Sequence, residues 1–129
     1  MRIVDLMSEA LVLPELPGSA RDEVLKALVE HMCAHAPVEI APALAYERLV
    51  ERERLASTAV GRGIAIPHAK LPTLPSAVAC FARSTRGVDF GSKDGAPTHI
   101  FLTILAPEGN AGLHLKALAA DVGRLEFGF

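Results

Sequence analysis

Two nearly uninterrupted apolar runs constrain the fold most strongly. Residues 77–82 and residues 98–105 are each long enough for a strand, and neither approaches the roughly 20 apolar residues of a membrane-spanning helix. A strand that is apolar at successive positions is typical of a sheet that is buried on both faces. Both runs therefore predict strands of a sheet whose two faces are covered by other elements.

Helical patterns occur before and after these strands. Apolar residues recur at helical spacing over residues 24–36, where Ser19 is expected to cap the start and Pro37 to end the helix. A second helix is expected from Pro42 to Arg54, and a last one after residues 107–110.

The remaining strands are predicted from shorter signals. Residues 10–14 form a short apolar run closed by a proline, after a brief turn at residues 3–7. Residues 60–68 are rich in glycine and β-branched residues, which favours extended chain. The order of elements predicts an α/β (α+β) fold, a three-layer α/β/α sandwich with a small mixed β-sheet flanked by helices, in a single domain spanning residues 1–129.

Composition excludes several classes of function. Lysine and arginine total 13 against 15 acidic residues, so a broad nucleic-acid-binding face is not expected. Asp5 and Glu9 interrupt any apolar signal-peptide region, and no run suits membrane insertion, so a cytoplasmic protein is expected. Cys33 and Cys80 lie far apart in the sequence and are expected to be buried free thiols.

His68 is the strongest candidate for chemistry. It follows a predicted strand and Pro67, whose ring stiffens the backbone beside it. A neutral imidazole is a competent nucleophile near pH 7, and glycines at positions 61 and 63 would let the backbone approach an anion. The alternative is an ordinary loop histidine without chemistry.

Other polar residues are weaker candidates. Arg52 and Arg54, at the end of the second predicted helix, could clamp a phosphate or simply form a solvated face. His31 and His35 are four residues apart, but they lack the glutamate of a zinc-protease helix and an evident third ligand. Neither a metal site nor a cofactor is predicted.

A longer series of residues resembles a known family. The chain has Arg-Glu at residues 52–53, Ser-Thr at residues 57–58 and Gly-Arg-Gly-Ile-Ala-Ile-Pro-His at residues 61–68. Further matches follow in order at residues 87–90, 94–97, 105–108 and 114–119. This series resembles enzyme IIA domains of the bacterial phosphotransferase system, in the fructose, mannitol and nitrogen-regulatory family, and it looks most like the nitrogen-regulatory type.

The resemblance implies roles for individual residues. His68 would accept a phosphoryl group from a phosphohistidine on an HPr-type carrier protein. Arg52 and His114 would lie beside the phosphoryl group, and Ser57 or Thr58 would support the site through their hydroxyl groups. Gly63, with its backbone, is the remaining candidate for phosphate support. The family fold is itself a three-layer α/β/α sandwich.

The resemblance leaves the branch of the family open. A regulatory protein would use phosphorylation as a switch towards sensor or transport proteins, whereas a sugar-specific component would pass the group to a IIB domain. A binding module that keeps the fold without turnover is the third alternative. Because relatives continue beyond the helix that carries His114, the end at residues 123–129 is expected to be a truncation that uncovers part of one sheet face and favours self-association.

Overall fold

The computed structural model describes residues 11–108, which form two helices and six strands of an α/β fold. The elements, in chain order, are β1 (Val12–Leu13), α1 (Arg21–His35), α2 (Pro42–Leu55), β2 (Ala59–Gly61), β3 (Ile64–Ala65), β4 (His68–Leu71), β5 (Val78–Val88) and β6 (Thr98–Pro107). The α/β class predicted from the sequence is confirmed.

The six strands form one mixed sheet around β6. The strand order is β1-β5-β6-β3-β2, and β4 also pairs with β6. The long strands β5 and β6 are antiparallel, whereas β3 and β4 both run parallel to β6. The two apolar runs of the sequence therefore lie side by side in the sheet, as strands buried by their neighbours.

Strands β3 and β4 lie along β6 as one interrupted strand. Ile64 is in register with Ile100, and His68 is in register with Ile104, so the offset is 100 − 64 = 104 − 68 = 36 on both sides of the interruption. Pro67 supplies no backbone N–H within the gap, but its carbonyl still accepts the N–H of Ile104 at 2.9 Å. The register is thus kept across the break.

The main core lies between the two helices and one face of the sheet. Helix α1 contributes five buried apolar residues, and α2 packs beside it with Ala45 and Leu49. From the sheet, Phe101 and Leu105 of β6 join the same cluster. The spacing of four residues between Ala45 and Leu49 places both side chains on the inner face of α2.

The other face of the sheet is buried in part, since Phe81 and Ile100 on it keep some exposure. Ile64, Leu102 and Ile104 point away from the helix-facing cluster, and none is more than 7% exposed. The last predicted helix, the early turn and residues 123–129 lie outside the described residues, so the second helical layer and the predicted truncation stay predictions.

The predicted start of α1 is wrong by one residue. The helix begins at Arg21 and its N-cap is Ala20, which makes no side-chain cap, so Ser19 lies outside the capping position. Two acidic residues in the first turn, Asp22 and Glu23, favour the positive end of the helix dipole instead. The predicted start of α2 at Pro42 is confirmed.

The segment predicted as extended chain over residues 60–68 is a hairpin followed by a further strand. Arg62 and its two flanking glycines all have positive φ angles, which closes the turn between β2 and β3. His68 does not end a strand, as the pattern suggested, but begins β4.

Candidate functional site

His68 is held by its own backbone. The imidazole Nδ1 lies 2.8 Å from the carbonyl oxygen of Ile66, which can only accept a hydrogen bond. Nδ1 therefore carries the proton, and Nε2 keeps its lone pair. The ring lies on the same side of the sheet as its register partner Ile104, the side away from the helices.

The surroundings of His68 keep the ring neutral. Burial is the main cause that lowers its pKa, and the positive charges of Arg52 and Lys70 lower it further. The hydrogen bond to the Ile66 carbonyl acts in the opposite direction. The net pKa lies below the ordinary histidine value, so the neutral form that a nucleophile needs predominates at pH 7.

Arg52 comes from the last turn of α2. Its guanidinium is close enough to His68 to act on the pKa of the ring, and its Nη1 donates to the carbonyl oxygen of Ala56 at 2.7 Å. That bond satisfies a free carbonyl at the C-terminal end of the helix. The remaining N–H groups of the guanidinium are directional donors suited to phosphate oxygens.

A buried carboxylate holds the segment between α2 and β2. Glu53 is only 3% exposed, and its two oxygens accept the backbone N–H and the hydroxyl of Thr58, both at 2.7 Å. The pKa of Glu53 is raised above its ordinary value because the carboxyl group is buried. The two Thr58 bonds and the charges of Arg52 and Arg21 offset part of that rise. The Thr58 hydroxyl therefore has its hydrogen-bond acceptor within the protein, in the carboxylate of Glu53.

Ser57 and Gly63 hold neighbouring segments in place. The Ser57 hydroxyl donates to the carbonyl oxygen of Phe90 at 2.5 Å. Gly63 lies beside the start of β6, where its carbonyl accepts the N–H of Ile100 at 2.9 Å. Because the register places Gly63 level with His99, five strand positions before Ile104, Gly63 is about 16 Å from the level of His68.

The structure thus brings together some of the candidates predicted from the sequence. The charge of Arg52 acts on the His68 ring, and Thr58 is bonded both to Glu53, next to Arg52, and to Ile66, two residues before His68. Gly63 is remote from the ring, and Asp94 binds the turn beside it through the Arg62 N–H at 3.0 Å. His114 lies outside the described residues, so its place beside His68 stays a prediction.

Sequence reasoning missed the part played by Glu53. Glu53 lies within a run of charged residues, Glu-Arg-Glu-Arg, which is typical of a solvated helix face. A signal was present nevertheless, because Ala45, Leu49 and Glu53 follow one another at intervals of four and share the inner face of α2. A carboxylate on such a face needs buried donors, which Thr58 provides.

The other polar clusters do not form part of this site. His31 and His35 bring their ring centroids within 4.4 Å of each other, and within residues 11–108 no group of three or more His, Cys, Asp or Glu side chains could hold a metal ion. Cys33 and Cys80 are free thiols. None of the helices described here is long and apolar enough to cross a membrane.

Comparison with known proteins identifies the family. Residues 5–120 match the family described as phosphoenolpyruvate-dependent sugar phosphotransferase system, EIIA 2. The match covers most of the chain, and the chain belongs to this family. The resemblance drawn from the sequence is thereby confirmed.

Individual relatives come from two branches. A nitrogen regulatory protein of Bradyrhizobium diazoefficiens is 42% identical over 119 residues, which cover 92% of this chain and 76% of the relative. The fructose-specific EIIABC component of Bacillus subtilis is 33% identical over 119 residues, but that match covers only 19% of the relative. The crystal structure of nitrogen regulatory protein IIA-Ntr from Neisseria meningitidis superimposes with a TM-score of 0.81 at 25% identity, covering 95% of this chain and 85% of that one.

Proposed function

We propose that this chain is a phosphoryl carrier with a regulatory role, phosphorylated on Nε2 of His68 by an HPr-type phosphocarrier protein. The observation that carries the proposal is the 2.8 Å contact between Nδ1 and the Ile66 carbonyl, which leaves Nε2 as the free nucleophile. The lowered pKa of the ring supports it, since a neutral imidazole has a lone pair to offer.

The reaction is an exchange of one P–N bond for another. The lone pair of His68 Nε2 attacks phosphorus as the bond to the carrier's histidine nitrogen breaks, and that nitrogen recovers its electron pair. The Nδ1 proton stays on His68, where the Ile66 carbonyl stabilises the positive charge shared by the ring. Arg52 would neutralise phosphoryl oxygens during transfer.

The other predicted residues have separate roles in this proposal. His114 would donate one ring N–H to an oxygen of the phosphoryl group. Ser57 and Thr58 would support the site by fixing the segment after α2, given that both hydroxyls are bonded within the protein. A direct phosphate contact from Gly63 is not supported by its position at the start of β6.

The similarity to nitrogen regulatory proteins favours a regulatory carrier. A phosphoryl group on His68 would add negative charge beside Arg52 and so change which sensor or transport proteins bind this surface. The proposal places this exchange in the cytoplasm. The similarity to a fructose-specific component favours a second candidate, a sugar-specific carrier that passes the group on to a IIB domain.

The test is phosphorylation by a carrier system charged with phosphoenolpyruvate. Acid-labile phosphate on the wild type, mapped by mass spectrometry, is expected at His68 and should vanish in His68→Ala. His35→Ala serves as the matched control, because His35 is an exposed histidine on α1. A folded wild type that takes no label from an active carrier would overturn the proposal in favour of a binding module. Transfer onward to a purified IIB domain separates the sugar-specific from the regulatory candidate.

A further inference from the structure

We propose that Glu53 is a positioning residue: by taking the backbone N–H of Thr58, it frees the Ile66 carbonyl to orient the His68 ring. This role rests on the proposed function, since it concerns the orientation of the ring that would be phosphorylated. Glu53 itself does not touch the reacting atoms in this scheme.

The register of β2 and β3 predicts which backbone groups of Thr58 and Ile66 should bond to each other. Ala59 is paired with Ala65 in this antiparallel hairpin, so the next pair outward is Thr58 with Ile66. Ile66 indeed donates its N–H to the Thr58 carbonyl at 3.0 Å. In an antiparallel pair bonded in this way, the partner normally returns a second bond, here from the Thr58 N–H to the Ile66 carbonyl.

That second bond is replaced by two others. The Thr58 N–H donates to Oε2 of Glu53 at 2.7 Å, and the Ile66 carbonyl accepts the Nδ1–H of His68 at 2.8 Å. The Thr58 N–H and the Ile66 carbonyl, which would otherwise bond to each other, are each bonded to a side chain instead. The exchange ties the carboxylate on α2 to the imidazole on β4 through two residues of the hairpin.

Glu53 has the properties that this exchange needs. A carboxylate is a stronger acceptor than a backbone carbonyl, and the second bond from the Thr58 hydroxyl fixes its plane. Thr58 is itself buried, so its N–H requires a partner within the protein. Without the carboxylate, the nearest alternative is the Ile66 carbonyl, which would then be shared and hold the His68 ring less tightly.

The test compares Glu53→Met, which removes the acceptor and keeps an unbranched side chain, with Glu51→Gln on the exposed side of the same helix. The readout is the pair of ¹⁵N chemical shifts of the His68 ring at neutral pH, which report the fraction of the Nδ1–H tautomer. Wild type and Glu51→Gln should show Nδ1–H, whereas Glu53→Met should show a mixture of tautomers. We expect Glu53→Met to be phosphorylated about 10- to 100-fold more slowly.

A second variant separates this role from general loosening of the segment. Thr58→Val removes the hydroxyl but keeps the N–H that donates to Glu53, so its ring shifts should depart from those of the wild type much less than those of Glu53→Met do. Equal changes in Thr58→Val and Glu53→Met would overturn the proposal. Unchanged ring shifts in a folded Glu53→Met would also overturn it.

The wild type provides a test that does not depend on any variant folding. A scalar coupling through the hydrogen bond is expected between the Thr58 amide nitrogen and the Glu53 carboxylate carbon. A coupling to the Ile66 carbonyl carbon in its place would overturn the proposal. None of these spectra requires phosphate, so the role of Glu53 can fail while His68 is still phosphorylated, and the converse holds as well.

Discussion

His68 and Ile104 stand opposite each other on the parallel strands β4 and β6. Ile104 is fully buried, and its N–H is bound by the carbonyl of Pro67, directly before His68. The candidate nucleophile therefore lies directly beside β6, the strand around which the sheet is built. Its position depends on packing in the core as much as on its own hydrogen bond.

Truncation of Ile104 should therefore weaken both the fold and the site. Ile104→Ala is expected to lower the free energy of unfolding by about 2–5 kcal/mol, because it removes a fully buried side chain. Ile104→Val should cost about 1 kcal/mol. Urea unfolding measures both values, and equal stabilities of Ile104→Ala and the wild type would contradict this account of the packing.

Arg52 should matter to phosphoryl transfer more than to stability. Arg52→Ala is expected to slow phosphorylation of His68 by about 100-fold. The reason is that enzymes typically lose about this factor when one hydrogen-bond donor to the negative charge of the transition state is removed. The exposed bond from Arg52 to the Ala56 carbonyl should contribute about 1 kcal/mol to stability. Arg54→Ala, which changes an exposed arginine on the same turn, is the control in a rapid-quench assay, and equal rates in both variants would remove the role assigned to Arg52.

The titration of His68 should link stability to pH. Because burial lowers the pKa of the folded ring, the unfolded chain binds the proton more readily. The contribution of His68 to stability is therefore complete above the unfolded pKa of about 6.5 and is lost as the pH falls below it towards the folded pKa. Between pH 7.5 and pH 5.5, the wild type should lose more stability than His68→Ala. An NMR titration of the ring with a midpoint at or above the ordinary value would contradict the prediction.

Gly87 should tolerate no side chain. Its φ angle is +83°, and a Cβ atom there would lie 2.8 Å from Cε1 of His99 and 2.9 Å from Cβ of Pro97. His99 cannot easily move away, because its Nδ1 is bonded to the Ser84 carbonyl at 2.8 Å. Gly87→Ala should cost about 2–3 kcal/mol or more.

Gly95→Ala is the matched control for that substitution. Gly95 has a similar φ of +72°, but nothing lies within 4 Å of a Cβ atom placed there. The control should cost only the backbone strain, about 1 kcal/mol. Equal melting temperatures for the two variants would show that the contact with His99 is unimportant.

The two cysteines should differ in reactivity. Burial raises the pKa of the Cys80 thiol to about 12, and the residue is fully buried, whereas Cys33, whose pKa is also raised by burial, is partly exposed. Iodoacetamide at pH 8 should alkylate Cys33 slowly and Cys80 only after unfolding. Mass spectrometry of peptides from the native protein checks this, with urea-treated protein as the reference.

The sequence predicted the elements better than the connections between them. The apolar runs became β5 and β6, and helical spacing located α1 and α2 within a few residues, because these patterns reflect burial along one element. His68 and Arg52 are candidates from their own places in the sequence, and the resemblance to a family supplies the role expected of each. The exchange of bonds among Glu53, Thr58 and Ile66 could not be predicted, because it depends on the register of a hairpin and on backbone atoms that every residue shares.

Because β3 and β4 keep one register along β6, their pairing with β6 fixes the position of the imidazole. Side chains alternate between the faces of a strand, so a shift of one residue reverses the side on which each one lies. Deletion of one residue between Ala65 and His68 would place the histidine opposite Thr103, on the side of the sheet that the helices cover. The number of residues between the hairpin turn and His68 therefore decides whether the candidate nucleophile lies on the side of the sheet away from the helices or on the side that they cover.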